Sequence, residues 1–201
     1  MSRRVITTLA LVAIVGGASA TARADTTTAV TADLEDQVVG AEVGLAGGLG
    51  RTPGGLRVAG RYLYQLSDQD WFDGSASFTY GSGGAECFRD RMNELACDHG
   101  VLDGSAVEIT ATVRRMFPAR GAFRPFARAG LGVGVVRFND DDLTGLAFPL
   151  HLGGGLRARV SPRVAIVGQA ELVVGLAVFG DDLGVESQLG MAVTAGAEFG
   201  L

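Results

Sequence analysis

Eight times along this chain, apolar residues alternate with small, polar or charged ones, and that pattern limits what the chain can fold into. Val39, Ala41, Val43 and Leu45 oppose Glu42. Leu56, Val58, Gly60, Tyr62 and Tyr64 oppose Arg57, Arg61 and Gln65. Phe72, Gly74, Ala76, Phe78 and Tyr80 oppose Ser75, Ser77 and Thr79; Val107, Ile109, Ala111 and Val113 oppose Glu108, Thr110, Thr112 and Arg114. Ala127, Ala129, Leu131, Val133 and Val135 oppose Arg128 and a row of glycines. Leu146, Phe148, Leu150 and Leu152, then Leu156, Ala158 and Val160, oppose His151, Arg157 and Arg159. The stretch from Val164 to Val178 carries Gln169 and Glu171 on its other face, and Leu189, Met191, Val193, Ala195, Ala197 and Phe199 oppose Gln188, Thr194 and Glu198. A period of two is that of a β-strand, and stretches of about 9 to 15 residues are close to or somewhat above the roughly 9–11 of a tilted membrane strand. The expectation is an all-β fold: an eight-stranded antiparallel transmembrane up-and-down β-barrel.

The connections support this. Ser67–Asp70, Pro118–Phe123 and Ser161–Arg163 are short and interleave with Gly50–Gly54, Gly81–Ser105, Asn139–Thr144 and Gly180–Ser187. Outer-membrane barrels have short periplasmic turns and longer outer loops, although Gly50–Gly54 is brief for an outer loop. A soluble sandwich or barrel also alternates, so periodicity alone does not say which face is inside. Aromatic residues near strand ends favour the membrane: Tyr62, Tyr64, Phe72, Phe117, Phe148, Phe179 and Phe199 read as interface girdles.

The N-terminus points the same way. Arg3 and Arg4 precede an apolar run, Val5–Ala18, and Ala22-Arg23-Ala24 offers a small-x-small cleavage site, so residues 1–24 read as a signal peptide. The run is shorter than the roughly 20 residues of a spanning helix. Residues 25–37 form a polar periplasmic segment and 38–201 the barrel. Removing three of the 17 basic residues, all arginines, leaves 14 against 22 acids, a net charge of −8. That acidity, with no basic stripe, argues against a nucleic-acid partner. Cys87 and Cys97 lie in the longest loop of an exported chain, which favours a disulfide over a metal pair; His99 is the only imidazole nearby.

The chain from Val38 onward resembles the outer-membrane β-barrel (porin-like) family, small eight-stranded type. It ends on the alternating Val193-Thr-Ala-Gly-Ala-Glu-Phe-Gly-Leu201, like that family's assembly signal, although members usually finish on an aromatic residue and here Phe199 is third from the end. The resemblance implies an outer-membrane location, lipid and lipopolysaccharide as surroundings, and the barrel-assembly machinery as a partner in biogenesis. Arg137, near the outer end of its strand, would meet a lipopolysaccharide phosphate or snorkel to water.

Inward charge is the main chemistry. Glu42, Glu108, Glu171 and Glu198 face Arg57, Arg61, Arg114, Arg128, Arg157 and Arg159. An eight-stranded barrel is just wide enough for side chains to fill, so an internal ion-pair plug is favoured over a charged conduit. The inward glycines should leave room for the arginines opposite; neither glycine-rich piece, Gly130–Gly134 or Gly153–Gly155, fits a nucleotide-binding fingerprint. The acids of Asp140–Asp142, Asp181–Asp182 and Glu186 lack calcium-loop spacing. Lipid A deacylases on similar scaffolds place a serine two residues after a histidine; here Gly153 follows His151 and Val101 follows His99 at that distance. No cofactor, metal or catalytic site is expected. The function anticipated is a non-enzymatic envelope barrel, structural or surface-interacting, with the 81–105 loop as its binding surface; a narrow pore is the alternative, and a lipid-modifying enzyme lacks a nucleophile.

Overall fold

The computed structural model describes residues 36–50, 52–81, 86–89, 95–98, 104–138, 143–180 and 184–201, with backbone alone at 49–50, 86–89 and 95–98. The signal peptide (1–24), its cleavage site, all but the last two residues of the 25–37 segment, His99 and the acids at 140–142 and 181–182 lie outside the described residues.

Every regular element described is a strand: β1 (Gln37–Gly50), β2 (Gly55–Gln65), β3 (Asp70–Gly81), β4 (Glu86–Arg89), β5 (Leu95–Asp98), β6 (Gly104–Met116), β7 (Phe123–Phe138), β8 (Leu143–Arg159), β9 (Val164–Phe179) and β10 (Gly184–Gly200). Eight of them close an antiparallel barrel in the order β1-β10-β9-β8-β7-β6-β3-β2, and β4 and β5 form a separate hairpin. Each barrel strand pairs with its sequence neighbours, apart from the excursion into that hairpin, and β1 meets β10 to remove the sheet edges.

The ladder sets the tilt. Followed once round from Val38 through Leu63, Asp73, Thr112, Gly130, His151, Val173 and Gly190, the register returns to Gly48, a shear of 48 − 38 = 10 residues. For eight strands that corresponds to a tilt of about 40°. At that tilt about 12 residues rise about 30 Å, the thickness of a bilayer's hydrocarbon core.

The faces are inside out relative to a water-soluble protein. Leu45, Ile109, Leu131 and Met191 are each more than 60% exposed, whereas Asp73, Arg114 and His151 are fully buried. A continuous apolar belt of this size in water would drive aggregation; against lipid it costs nothing. This excludes the soluble barrel that periodicity left open. The aromatics gather at the belt's two margins. Tyr62, Tyr64, Phe72, Phe117, Phe123 and Phe199 are exposed towards the short-turn end, while Phe78 and Tyr80 stack at 6.4 Å towards the loop end, where Phe148 is also exposed. Phe179 departs from the expected girdle: it has the inward phase of β9 and packs inside the barrel against Phe138.

Two further differences have local causes. β10 begins at Gly184, inside the expected 180–187 loop, because Glu186 and Ser187 continue to pair with Ala177 and Leu176 despite their polarity. β8 runs unbroken through Pro149 and Gly153–Gly155, although the β7–β8 ladder has no pair between Leu131↔Leu150 and Gly134↔Ala147. Proline has no N–H to donate there.

The long 81–105 connection contains the β4–β5 hairpin, which alternation did not reveal because four-residue strands are too short to show a period. Its register sets Cys87 directly opposite Cys97. Directly opposed antiparallel residues have Cα atoms about 4.5–5.5 Å apart, inside the span a disulfide bridges. Non-reduced peptide mapping of envelope-derived protein should recover Cys87 joined to Cys97; two free thiols would contradict that pairing.

Candidate functional site

The lumen is the site. Its inward positions form bands along the axis, which follow from reading each strand's inward phase from the turn end to the loop end. At the turn end Val38, Leu63, Trp71, Met116, Phe126 and Val167 form a buried apolar cluster. At the loop end Val136, Phe138, Leu143, Ala147, Ala177 and Phe179 form a second, on the β7–β9 side. Between them lies a polar band that no lipid reaches.

Arginines and carboxylates are equal in number in that band. Arg57, Arg61, Arg114, Arg128 and Arg157 face Glu42, Asp73, Glu108, Glu171 and Glu198, five against five among the described residues. Asp73 is its hub: its Oδ2 lies 2.6 Å from Arg61 Nη1 and 3.0 Å from Arg114 Nη2, and accepts from Arg114 Nε at 3.1 Å. Arg61 reaches back to Glu42 at 2.8 Å, whose other oxygen accepts from Gln169 and Thr194. Glu198 bridges Arg114 at 2.5 Å and Arg157 at 2.7 Å. Arg128 ties the hub to the next layer, contacting Gln169 and Glu171 at 3.5 Å.

That next layer is built round His151. Its Nε2 is 3.1 Å from Glu108 and its Nδ1 3.5 Å from Glu171, and Arg57 Nη2 lies 3.4 and 3.2 Å from the same two carboxylates. Space for the bulky groups comes from glycine. A Cβ at Gly132 would stand 3.2 Å from His151 Nε2, and one at Gly155 2.7 Å from Phe126 Cζ. These glycines therefore make room for a histidine and a phenylalanine, where arginines were expected. Phe126 in turn lies under the Arg114 guanidinium, 4.4 Å from its ring centroid, which joins the ionic band to the apolar cluster beneath it.

Nine of the ten residues expected to line the lumen as charges are in this network: Glu42, Arg57, Arg61, Glu108, Arg114, Arg128, Arg157, Glu171 and Glu198. Arg159 is not. It is half-buried at the turn end of β8 and makes no ion pair among the described residues. Two members were missed. Asp73 shares the phase of Ser75, Ser77 and Thr79 and lies between Phe72 and Gly74, yet it is not among the residues counted on the opposing face. His151 was placed on the inward face and left out of the charge count. With Asp73 in and Arg159 out, the expected excess of two arginines disappears.

An opening remains at the loop end. A cavity of about 50 Å³ is lined by Thr52, Pro53, Arg57, Thr79, Glu108 and Gln188 among others. It has room for a few waters at about 10–15 Å³ each, and the Arg57–Glu108 pair lines it. Among the described residues no cluster of His, Cys, Asp and Glu is arranged to hold a metal ion.

The hub gives a sharp prediction. Asp73→Ala leaves two buried guanidiniums without their shared carboxylate and should lower unfolding free energy by about 3–5 kcal/mol, less where lumenal water reaches them. Asp70→Ala, which removes a half-buried partner of the exposed Arg115, should cost less than about 1 kcal/mol. Urea unfolding of both variants in detergent micelles measures the difference; equal midpoints would contradict the hub.

No protein-family model matches the sequence, and comparison with curated protein sequences finds no match. Solved structures do match. Neisserial surface protein A (NspA) is 14% identical, with a TM-score of 0.57 over 83% of this chain and 98% of that one. The outer membrane protease OmpT of Escherichia coli is 10% identical over 84% and 98%, with a TM-score of 0.48. Ail, the attachment invasion locus protein of Yersinia pestis, is 16% identical over 82% and 99%, with a TM-score of 0.44. At such identities the likeness is one of fold, and NspA carries it. By its closed eight-stranded antiparallel sheet and its likeness to NspA, the chain has the fold of the small outer-membrane β-barrels.

Proposed function

We propose that the chain is an exported, non-enzymatic outer-membrane barrel that acts through its outer loops, its lumen being closed. The observation that carries this is the ionic band stacked on the turn-end apolar cluster. Solute entering from the loop end meets Arg57, Glu108, His151 and Glu171, already paired with one another, and beneath them side chains packed to the periplasmic turns. Stability of this kind frees the loops to vary and bind. The 81–105 connection, with its own hairpin, is the largest such surface and the favoured place for a surface ligand.

The remaining partners follow from position. Lipid covers the apolar belt. Arg137, outward at the loop end of β7, stands at the level of lipopolysaccharide phosphates. The alternating β10, with Phe199 outward, is the segment the assembly machinery would read. Export through residues 1–24 would deliver a mature chain starting at Asp25.

The narrow conduit is the competing reading, and the loop-end cavity is the observation in its favour. Planar-bilayer recording decides between them. Purified mature protein should give no steady single-channel current; reproducible ohmic openings would overturn the closed-lumen reading and establish the conduit. In fractionated cells the protein should be recovered in the outer membrane, and recovery in the soluble periplasm would overturn the location.

A further inference from the structure

Three arginines gather at the turn end. Arg124 is the second residue of β7 and Arg157 lies directly opposite it on β8, both on the inward phase; Arg159, two residues further on, shares that phase. Arg124 feels repulsion from both. Among the described residues one carboxylate serves the three: Glu198, which contacts Arg157 at 2.7 Å and is shared with Arg114. Arg124 is held by backbone carbonyls instead, donating from Nε to Phe117 O and from Nη2 to Asp68 O, each at 3.3 Å. Those bonds orient its guanidinium without neutralising it. Arg159 has no carboxylate within ion-pair distance among the described residues.

Like charges on adjacent strands repel, and half-burial weakens the screening that would make the repulsion harmless. Such an arrangement is stabilised by an anion with several acceptor oxygens. Phosphate fits best, because the planar guanidinium fork matches its oxygens two at a time. The level is also right. The exposed Phe117 and Phe123 flank the cluster in the turn-end girdle, and girdle aromatics lie among lipid headgroups.

We infer that the turn-end rim formed by Arg124, Arg157 and Arg159 binds a phosphate group, carried by a phospholipid of the inner leaflet. The leaflet, though not the phosphate chemistry, rests on the outer-membrane reading above. Arg124 and Arg159 supply the free donors, while Arg157 adds charge from its bridged position. Bound there, the lipid would neutralise the rim and seat the barrel at a fixed depth.

The test uses the mature protein refolded in a maltoside detergent, which carries no phosphate. Calorimetric titration with glycerol phosphate and with a short-chain phosphatidylglycerol should give saturable binding. The Arg124→Gln/Arg159→Gln double variant should weaken it about tenfold or more, as expected for lost hydrogen bonds to a charged group. Arg115→Gln, whose side chain points outward to Asp70, should leave it unchanged. Heat-dependent gel migration checks that each variant is a closed barrel; should the double variant not fold, Arg159→Gln alone serves, since that side chain has no partner to lose. Binding of the lipid but not of glycerol phosphate supports the phospholipid as source. Equal binding of both supports the phosphate site and overturns the lipid as its specific carrier. Absence of saturable binding to either, or full affinity in the double variant, overturns the site. Because the titration is made on isolated protein, its result is independent of where fractionation places the chain.

Discussion

The barrel depends on a carboxylate that no water or lipid reaches. Asp73 is fully buried and is held by Arg61 from β2 and Arg114 from β6, so one side chain joins three neighbouring strands across the lumen. Charges in such a place are stable only in company. Each arginine therefore brings a second acid, Glu42 for Arg61 and Glu198 for Arg114, and the latter recruits Arg157 from β8. The network spreads through five arginines and five carboxylates among the described residues, with His151 set between two of the carboxylates. Taking out any member removes one of the ion pairs that its buried partners make.

The rest of the architecture follows from having charge inside. The apolar residues of each strand must face outward, which is tolerable only in lipid. Lipid in turn forbids unpaired backbone, so the sheet must close on itself, and β1 meets β10. A shear of ten residues in eight strands leaves a lumen that side chains alone can fill. Glycine then becomes a spacer: at Gly155, beside Phe126, a methyl group has no room, and at Gly132, beside His151, it would fit only if its neighbours shifted.

Much of this was legible in the sequence, because a period of two needs no tertiary information. All eight barrel strands, the turn and loop order, and nine members of the ionic band follow from which residues share a phase. What was not legible depends on distance. Phase places Asp73 inward as firmly as Glu42, but only the register of β3 between β2 and β6 makes it the meeting point of two arginines. Arg159 has the correct phase and the wrong height, one step beyond the last carboxylate. Phe179 was read as a girdle residue by its place near a strand end, when its odd phase puts it inside. The β4–β5 hairpin is too short to show a period, and which face of the barrel is wet cannot come from alternation at all.

The claim that a shared ionic network holds the barrel shut is tested most directly by a double-mutant cycle on Asp73 and Arg114. Wild type, Asp73→Ala, Arg114→Ala and the double variant are unfolded in urea under one detergent condition, and the coupling free energy is taken from the four stabilities. A network centred on Asp73 predicts a coupling of about 2–3 kcal/mol, the double variant losing far less than the two singles together. Additivity within about 0.5 kcal/mol would mean that the two side chains act independently, and the account of a lumen closed by mutual pairing would be wrong.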